Sequence, residues 1–490
     1  MSFRLPVAGL ATSLLLAPVT GHADTAAELR ELRDLVQKLS QRLDQLERPP
    51  AAPPAATPPP DVQALDQDLR VIERRQELAS EAAAERAKTT PVVSLGAGGF
   101  SVRSADSNFV FRARGYVQAD GRFHLSDNDV DNTLLMRRVR PIFEGTVYRD
   151  FDYRVMLDFG SGASLSAANN ALVQDAYVNW RIDPAFQLRV GKDKEPVGLE
   201  RLQSGANLLF VERAFPTLLA PNRDVGVQLR GELWQGLIEY QLGLFNGVAD
   251  GGSGDFDTAD GDKDLAGRVF AQPFKDSDHD WLRGLGVGLA GTYGEQEGPL
   301  RNYFTTGQLR AFSHLTGTGA ANSPNVLADG THWRFTPQGW YYKGPFGLFG
   351  EYIVSDQEIS RTAGGSVIRG NPQNTAWQVS ASYFLTGEDN SFRAVQPLQP
   401  LELGGEGWGA LELTARVSEL DLDDDLFPLF ANPRQSVSGI TEFGFGVNWH
   451  LNRFIKFSLN YHHLDYDGGE DNPATAKSEK LILGRVQFNF

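Results

Sequence analysis

The stretch Phe186–Gly231, FQLRVGKDKEPVGLERLQSGANLLFVERAFPTLLAPNRDVGVQLRG, begins and ends as an alternating β-strand. Phe186, Leu188 and Val190 share one face against Gln187 and Arg189, and Val225, Val227 and Leu229 share one against Gln228 and Arg230. Between the strands lies a connection of roughly thirty residues, where an ordinary loop has about 4–6. It is too apolar for a solvated linker, since Leu199, Leu202, Leu208, Leu209, Phe210, Val211, Phe215, Leu218 and Leu219 all need a surface to pack on. Lys192, Lys194, Arg201, Arg213 and Arg223 punctuate it. A loop folded into a barrel lumen satisfies both features, with leucines on the wall and cations in the channel.

The rest of the chain is consistent with that setting. Its 490 residues include 51 Gly and 10% aromatics, and no run after the N-terminus is long and apolar enough for a spanning helix. A transmembrane β-barrel needs only segments of about 9–11 residues that alternate in polarity. Sixteen candidate strands begin near Asn108, Leu134, Phe151, Ala171, Ala185, Arg223, Leu237, Asp264, Gly284, Thr331, Pro345, Thr375, Gly409, Thr441, Phe454 and Lys480. The expected fold is therefore an all-β antiparallel transmembrane barrel over 108–490. Short junctions such as Arg149–Asp150 and Asn452–Arg453 read as turns at one end; the long segments Gly251–Asp264, Glu297–Gly330, Glu388–Glu406 and Asp421–Val437 read as loops at the other.

Ahead of the barrel, residues 1–23 have Arg4, an apolar core around Leu14–Leu16 and small Gly21 and Ala23, the pattern of a signal peptide. Residues 24–48 carry an a/d seam at Leu29, Leu32, Val36, Leu39, Leu43 and Leu46, which predicts a coiled-coil helix. Residues 49–60 are a proline-rich linker, 61–88 a second helical segment with Val62, Leu65, Leu69 and Ile72 on one seam, and 89–107 a further linker. The narrow seams call for partner helices, from other copies of the chain or from a hairpin of the two segments. With 0 Cys there is no disulfide framework.

The runs GKDKEPVGLERLQS, FVER and LLAPNRDVGV, with RGYVQ at Arg114–Gln118 and RRVRPIFEGTVYRDFDYRVMLDF at Arg137–Phe159, resemble the phosphate-selective porin O and P family of Gram-negative outer membranes. The likeness runs from Asn108 to Phe490. It implies a trimeric, water-filled channel in the outer membrane for small anions, phosphate or related oxyanions, with the central loop as its constriction, the N-terminal extension in the periplasm and Phe490 read by assembly machinery. An envelope anchor with a periplasmic coiled coil, holding a cell-wall or periplasmic partner, and a general porin without phosphate selectivity remain alternatives.

Strand parity selects the channel wall, because Arg or Lys at mid-membrane on the lipid side costs about 2–4 kcal/mol. Phe109, Phe111, Leu135, Val139, Phe143 and Val147 are expected outside, which turns Arg112, Arg114, Arg138 and Arg140 inward; Arg137 takes the outward parity. With Lys192, Lys194, Arg201, Arg213 and Arg223 they form the candidate anion track, since a guanidinium fork matches oxyanion geometry. Glu144, Asp152, Asp158 and Asp175 share the inward parity and can neutralise part of it.

The net charge of −16 argues against nucleic acid as a partner. No GxSxG, HExxH or P-loop pattern supports an enzyme. No cofactor or metal is expected: His462 and His463 point to opposite faces, and Asp255–Asp264 lacks calcium-loop spacing.

Overall fold

The computed structural model describes residues 37–38, 40–42, 60–96, 98–126, 130–160, 173–255, 261–316 and 325–490. The expected signal peptide, nearly all of the first seam and the proline linker lie outside these. Residues 1–90 and 91–490 form separate units. In the first, helix α1 (Pro60–Thr89) places Leu65, Leu69 and Ile72 at helical spacing on one face.

In the second unit the strands are β1 (Val92–Gly96), β2 (Gly99–Arg103), β3 (Val110–His124), β4 (Thr133–Val147), β5 (Phe151–Leu157), β6 (Val173–Asp183), β7 (Phe186–Lys194), β8 (Arg223–Leu233), β9 (Ile238–Phe245), β10 (Asp264–Ala271) and β11 (Leu285–Pro299). They continue through β12 (Tyr303–Phe304), β13 (Arg310–Phe312), β14 (Val326–Lys343), β15 (Phe346–Ala363), β16 (Ser366–Gly370), β17 (Gln373–Phe384), β18 (Ala410–Asp421), β19 (Val437–His450), β20 (Ile455–Gly468) and β21 (Glu479–Asn489). Sixteen of them form a closed antiparallel barrel. The seam is β21 against β3, from Leu481↔His124 to Asn489↔Tyr116, and closure leaves no free edge in the wall. At Gly115 the neighbour of β3 changes. Phe490 exchanges both backbone hydrogen bonds with Gly115, at 2.8 and 3.0 Å, and below it β2 takes over the edge from Phe100↔Ala113 to Arg103↔Val110. The segment read as a linker at 89–107 thus contains the β1–β2 hairpin, which extends the wall.

Outward positions are apolar and exposed, as Val155, Val178, Val190, Val227, Leu244 and Val269 show on β5 to β10. Inward positions are polar and mostly buried under the loops, including Gln118, Gln378, Ser418 and Asn448.

Two expectations are corrected. A register shift opposite Gln118 and Ala119 inserts Arg137 as an extra residue in β4. Such a bulge reverses parity beyond it, so Leu134 and Met136, rather than Leu135, are exposed, and Arg137 turns inward. The segment containing Glu388–Glu406 lies at the short-turn end: Asn390 N donates to Gly344 O at 2.7 Å and Leu401 N to Leu451 O at 2.6 Å. Its length suggested the opposite end, but β17 ends beside the turn that starts β15.

Candidate functional site: a loop-roofed chamber in the barrel

The segment 195–222 folds across the barrel interior, and inward side chains of the far wall receive its backbone. Gln118 Nε2 of β3 donates to Gly205 O, Gln487 of β21 to Ala206 O, Lys456 of β20 to Leu208 O, and Asn448 of β19 to Leu209 O, all at 2.8–2.9 Å. Val211 N donates to Asn460 Oδ1 at 2.7 Å, and Arg416 of β18 reaches Glu212 O at 2.9 Å. Polar wall residues thus satisfy a buried irregular backbone that has no ladder of its own. The apolar anchors Val197, Leu199, Leu208, Phe210, Phe215 and Leu219 are each at most 3% exposed. Each contributes about 1.5–3 kcal/mol against about 1–2 kcal/mol for fixing one backbone residue, so closely spaced anchors and hydrogen bonds keep the segment in place.

Two single helical turns shape it, α2 (Leu199–Leu202) and α3 (Pro216–Leu219). Gly198, at φ 78°, allows the chain to enter α2 where a Cβ would press on Arg201 and Ala220. Glu351 of β15 accepts from Leu199 N and, at 3.1 Å, from Glu200 N. Cations cover the other end: Lys194 Nζ donates to Leu202 O and Gln203 O at 3.1 and 2.9 Å, and Arg213 to Glu200 O and Gln203 O at 3.2 and 2.9 Å. This charge order follows the dipole of the turn. Arg201 likewise donates to a carbonyl, Thr217 O. Lys194, Arg201 and Arg213 are therefore held by backbone oxygens, and none of them forms an ion pair with a carboxylate among the described residues.

The remaining candidates divide. Arg114 forms a fork with Glu144 at 2.7 and 3.0 Å, and Arg112 stands 3.8 Å from the same carboxylate. Arg140 pairs with Asp158 at 2.7 Å and Arg223 with Asp175 at 2.8 Å, so inward acids neutralise several of the wall arginines. Arg138 is buried, bonded to Gln118 at 2.7 Å, and its Nε meets no acceptor among the described residues. Lys192 is buried against Asp255. The sequence reading passed over the pair from Arg137 to Glu212, a fork at 2.6 and 3.0 Å that Arg122 joins at 3.3 Å. These guanidiniums hold the Glu212 carboxyl well below its usual range.

Beneath the loop lies a cavity of about 670 Å³, open toward the short-turn end. Lys194, Ser204 and Asn207 belong to its lining on the loop side; Arg189, Arg230 and Arg268 line it from β7, β8 and β10, and Arg393 from the 385–409 segment. Asp193 and Glu239 are its acids, the first bonded to Arg189 and the second 3.8 Å from Arg268. Five cations thus face two carboxylates. Strand alternation alone turns Arg189, Arg230 and Arg268 inward, but nothing in their spacing marks them as one group. An adjoining part of the lining is aromatic, with Trp340, Tyr342 and Phe392. Glycines make room for it: a Cβ at Gly286 would stand 2.5 Å from Trp340 Nε1 and 2.6 Å from a Phe270 ring carbon. Among the described residues no cluster of His, Asp and Glu can hold a metal ion.

Known proteins agree with this architecture. The chain is 23% identical to Porin O of Pseudomonas aeruginosa over 418 residues, covering 80% of this chain and 91% of that one. It is 28% identical to an uncharacterized protein of Caulobacter vibrioides over 497 residues, covering 94% and 90%. Among solved structures, the outer-membrane channel DcaP of Acinetobacter baumannii has the same fold at a TM-score of 0.50 and 11% identity, over 79% of this chain and 99% of that one. The family model for phosphate-selective porin O and P matches residues 111–490, and with a closed barrel built for the outer membrane, this chain belongs to that porin family.

Proposed function

We propose that the protein passes small anions, phosphate or related oxyanions among them, by diffusion through a water-filled lumen that segment 195–222 constricts. The observation that carries this reading is the unequal pairing of charge. Arg114, Arg140 and Arg223 of the wall are matched by carboxylates, whereas Lys194, Arg201 and Arg213 at the loop are held by carbonyl oxygens and the chamber beneath has five cations to two acids. An anion entering there gains electrostatic stabilisation without displacing a carboxylate. Because cations and acids still alternate, binding stays weak enough for release, as conduction requires. The formal charge of −16 does not oppose this, since it sums over surface loops far from the path.

A trimer fits the wall. Strands β5, β9 and β10 have 7, 8 and 8 residues, against 18 in β14 and β15. A tilted strand needs about 9–11 residues to cross the hydrocarbon, so the short side is better covered by neighbouring subunits than by lipid. Leu242, Leu244, Leu265 and Val269 on this side are half exposed and apolar.

Reversal potentials of the purified protein in planar bilayers under a potassium chloride gradient test the reading. Anion preference is expected and should strengthen in dilute salt; a cation preference at low salt refutes it.

A further inference from the structure

The geometry points to small aromatic carboxylates, a planar ring bearing an anionic group, as a ligand class of the chamber under the loop. This rests on the anion-channel reading and adds what the ring surface does. The cavity, about 670 Å³, lies within the range of about 300–1,000 Å³ typical of small-molecule sites and exceeds what one inorganic oxyanion fills. Its cationic and aromatic side chains are linked through Phe270, which is buried behind the lining. The Arg268 guanidinium stands 4.6 Å over the Phe270 ring, Phe270 is 4.1 Å from Trp340, and Trp340 stacks on Phe392 at 4.9 Å and 28°.

The rings are fixed in position. Leu199 and Leu209 of the loop pack against this group, and the missing side chains at Gly286 and Gly288 let Phe270 and Trp340 lie flat across β11. A path evolved for inorganic anions alone gains nothing from such a surface, because a hydrated oxyanion makes no favourable contact with the face of a ring, whose quadrupole is negative. An aromatic carboxylate uses both parts. Its carboxylate takes the forks of Arg230 and Arg268 or the ammonium of Lys194, of which Arg230 and Lys194 have no carboxylate partner among the described residues, and its ring joins Trp340, Tyr342 and Phe392.

The test uses the full protein in planar bilayers, with chloride current recorded while benzoate, cyclohexanecarboxylate or phosphate is added. Benzoate should halve the current at a concentration about threefold or more below that needed for cyclohexanecarboxylate, the margin expected of one aromatic contact. Trp340→Ala, or Phe392→Ala should the first variant fail to assemble, should abolish this difference, and Arg230→Gln should weaken block by both carboxylates. Equal block by the two carboxylates, a preference that survives both aromatic variants, or stronger block by phosphate than by benzoate overturns the inference. Failure of the underlying reading appears separately, as a cation-selective reversal potential, because ring preference is read between two ligands of equal charge.

Discussion

Lys192 and Lys194 are two residues apart, yet the structure gives them different surroundings, and replacing each in turn by methionine separates wall charge from filter charge. Lys194 lines the chamber and is bound by carbonyls; Lys192 is buried against Asp255 and is not part of the lining. A cavity of about 670 Å³, taken as a sphere, has a radius of about 5 Å, which puts a central ion roughly 7 Å from the Lys194 nitrogen. In water a unit charge at that distance acts on the ion with about 0.6 kcal/mol, reduced to about 0.3 kcal/mol by a Debye length of about 10 Å at 0.1 M salt. Cation and anion feel it with opposite sign, so Lys194→Met should lower the anion-to-cation permeability ratio about threefold at 0.1 M, about fivefold at 0.01 M and hardly at all at 1 M. Lys192→Met should change the ratio by less than about 1.5-fold under the same conditions, its charge being already compensated. The assay is the reversal potential in asymmetric potassium chloride, on protein shown to be oligomeric by its heat-modifiable migration. Equal effects of the two substitutions, or an effect of Lys194→Met that persists at 1 M, would refute the reasoning.

Glu212→Gln removes the acid that Arg137 and Arg122 share in a buried site, and breaking such a pair from one side costs about 3–5 kcal/mol. Thermal unfolding in detergent should shift clearly downward while anion preference rises; an unchanged transition would show that the loop is held by its apolar anchors alone. Leu242→Arg on the short wall should yield folded monomers in unheated gels, whereas Leu459→Arg on β20, equally outward and 58% exposed, should leave oligomers intact. Oligomers that tolerate Leu242→Arg and fail with Leu459→Arg would move the subunit contact to the tall wall.

Strand order and parity were legible because a barrel imposes one rule, apolar outward and polar inward, on every strand, and each expected strand start falls within a few residues of an observed one or within it. Parity counting failed at Arg137 because a bulge leaves no mark in the hydrophobic pattern. The Glu388–Glu406 segment differs for another reason: alternation from Pro345 through Thr375 to Gly409 puts it at the short-turn end, whereas its length alone points to the other. Lys194, Arg201 and Arg213 stand out as cations in an unusual loop, but their lack of ion-pair partners depends on which carbonyls the turns α2 and α3 present. The aromatic side of the chamber was least visible. Trp340 and Tyr342 come from β14 and Phe392 from a connection two strands later, and the signal that joins them is the absence of side chains at Gly286 and Gly288 on the strand between β10 and β14.

The exchange of hydrogen bonds between Gly115 and Phe490 lies at the closing seam. The upper edge of the first barrel strand is completed only by the C-terminal strand; Gln118 meets its partner Gln487 across 369 positions of sequence. A chain that lacks β21 therefore cannot close the wall, because that edge of β3 has its partner nowhere else in the barrel. Closure across so long a separation makes these the least local contacts of the fold, and the Gly115–Phe490 pair is where the seam passes from β21 to β2.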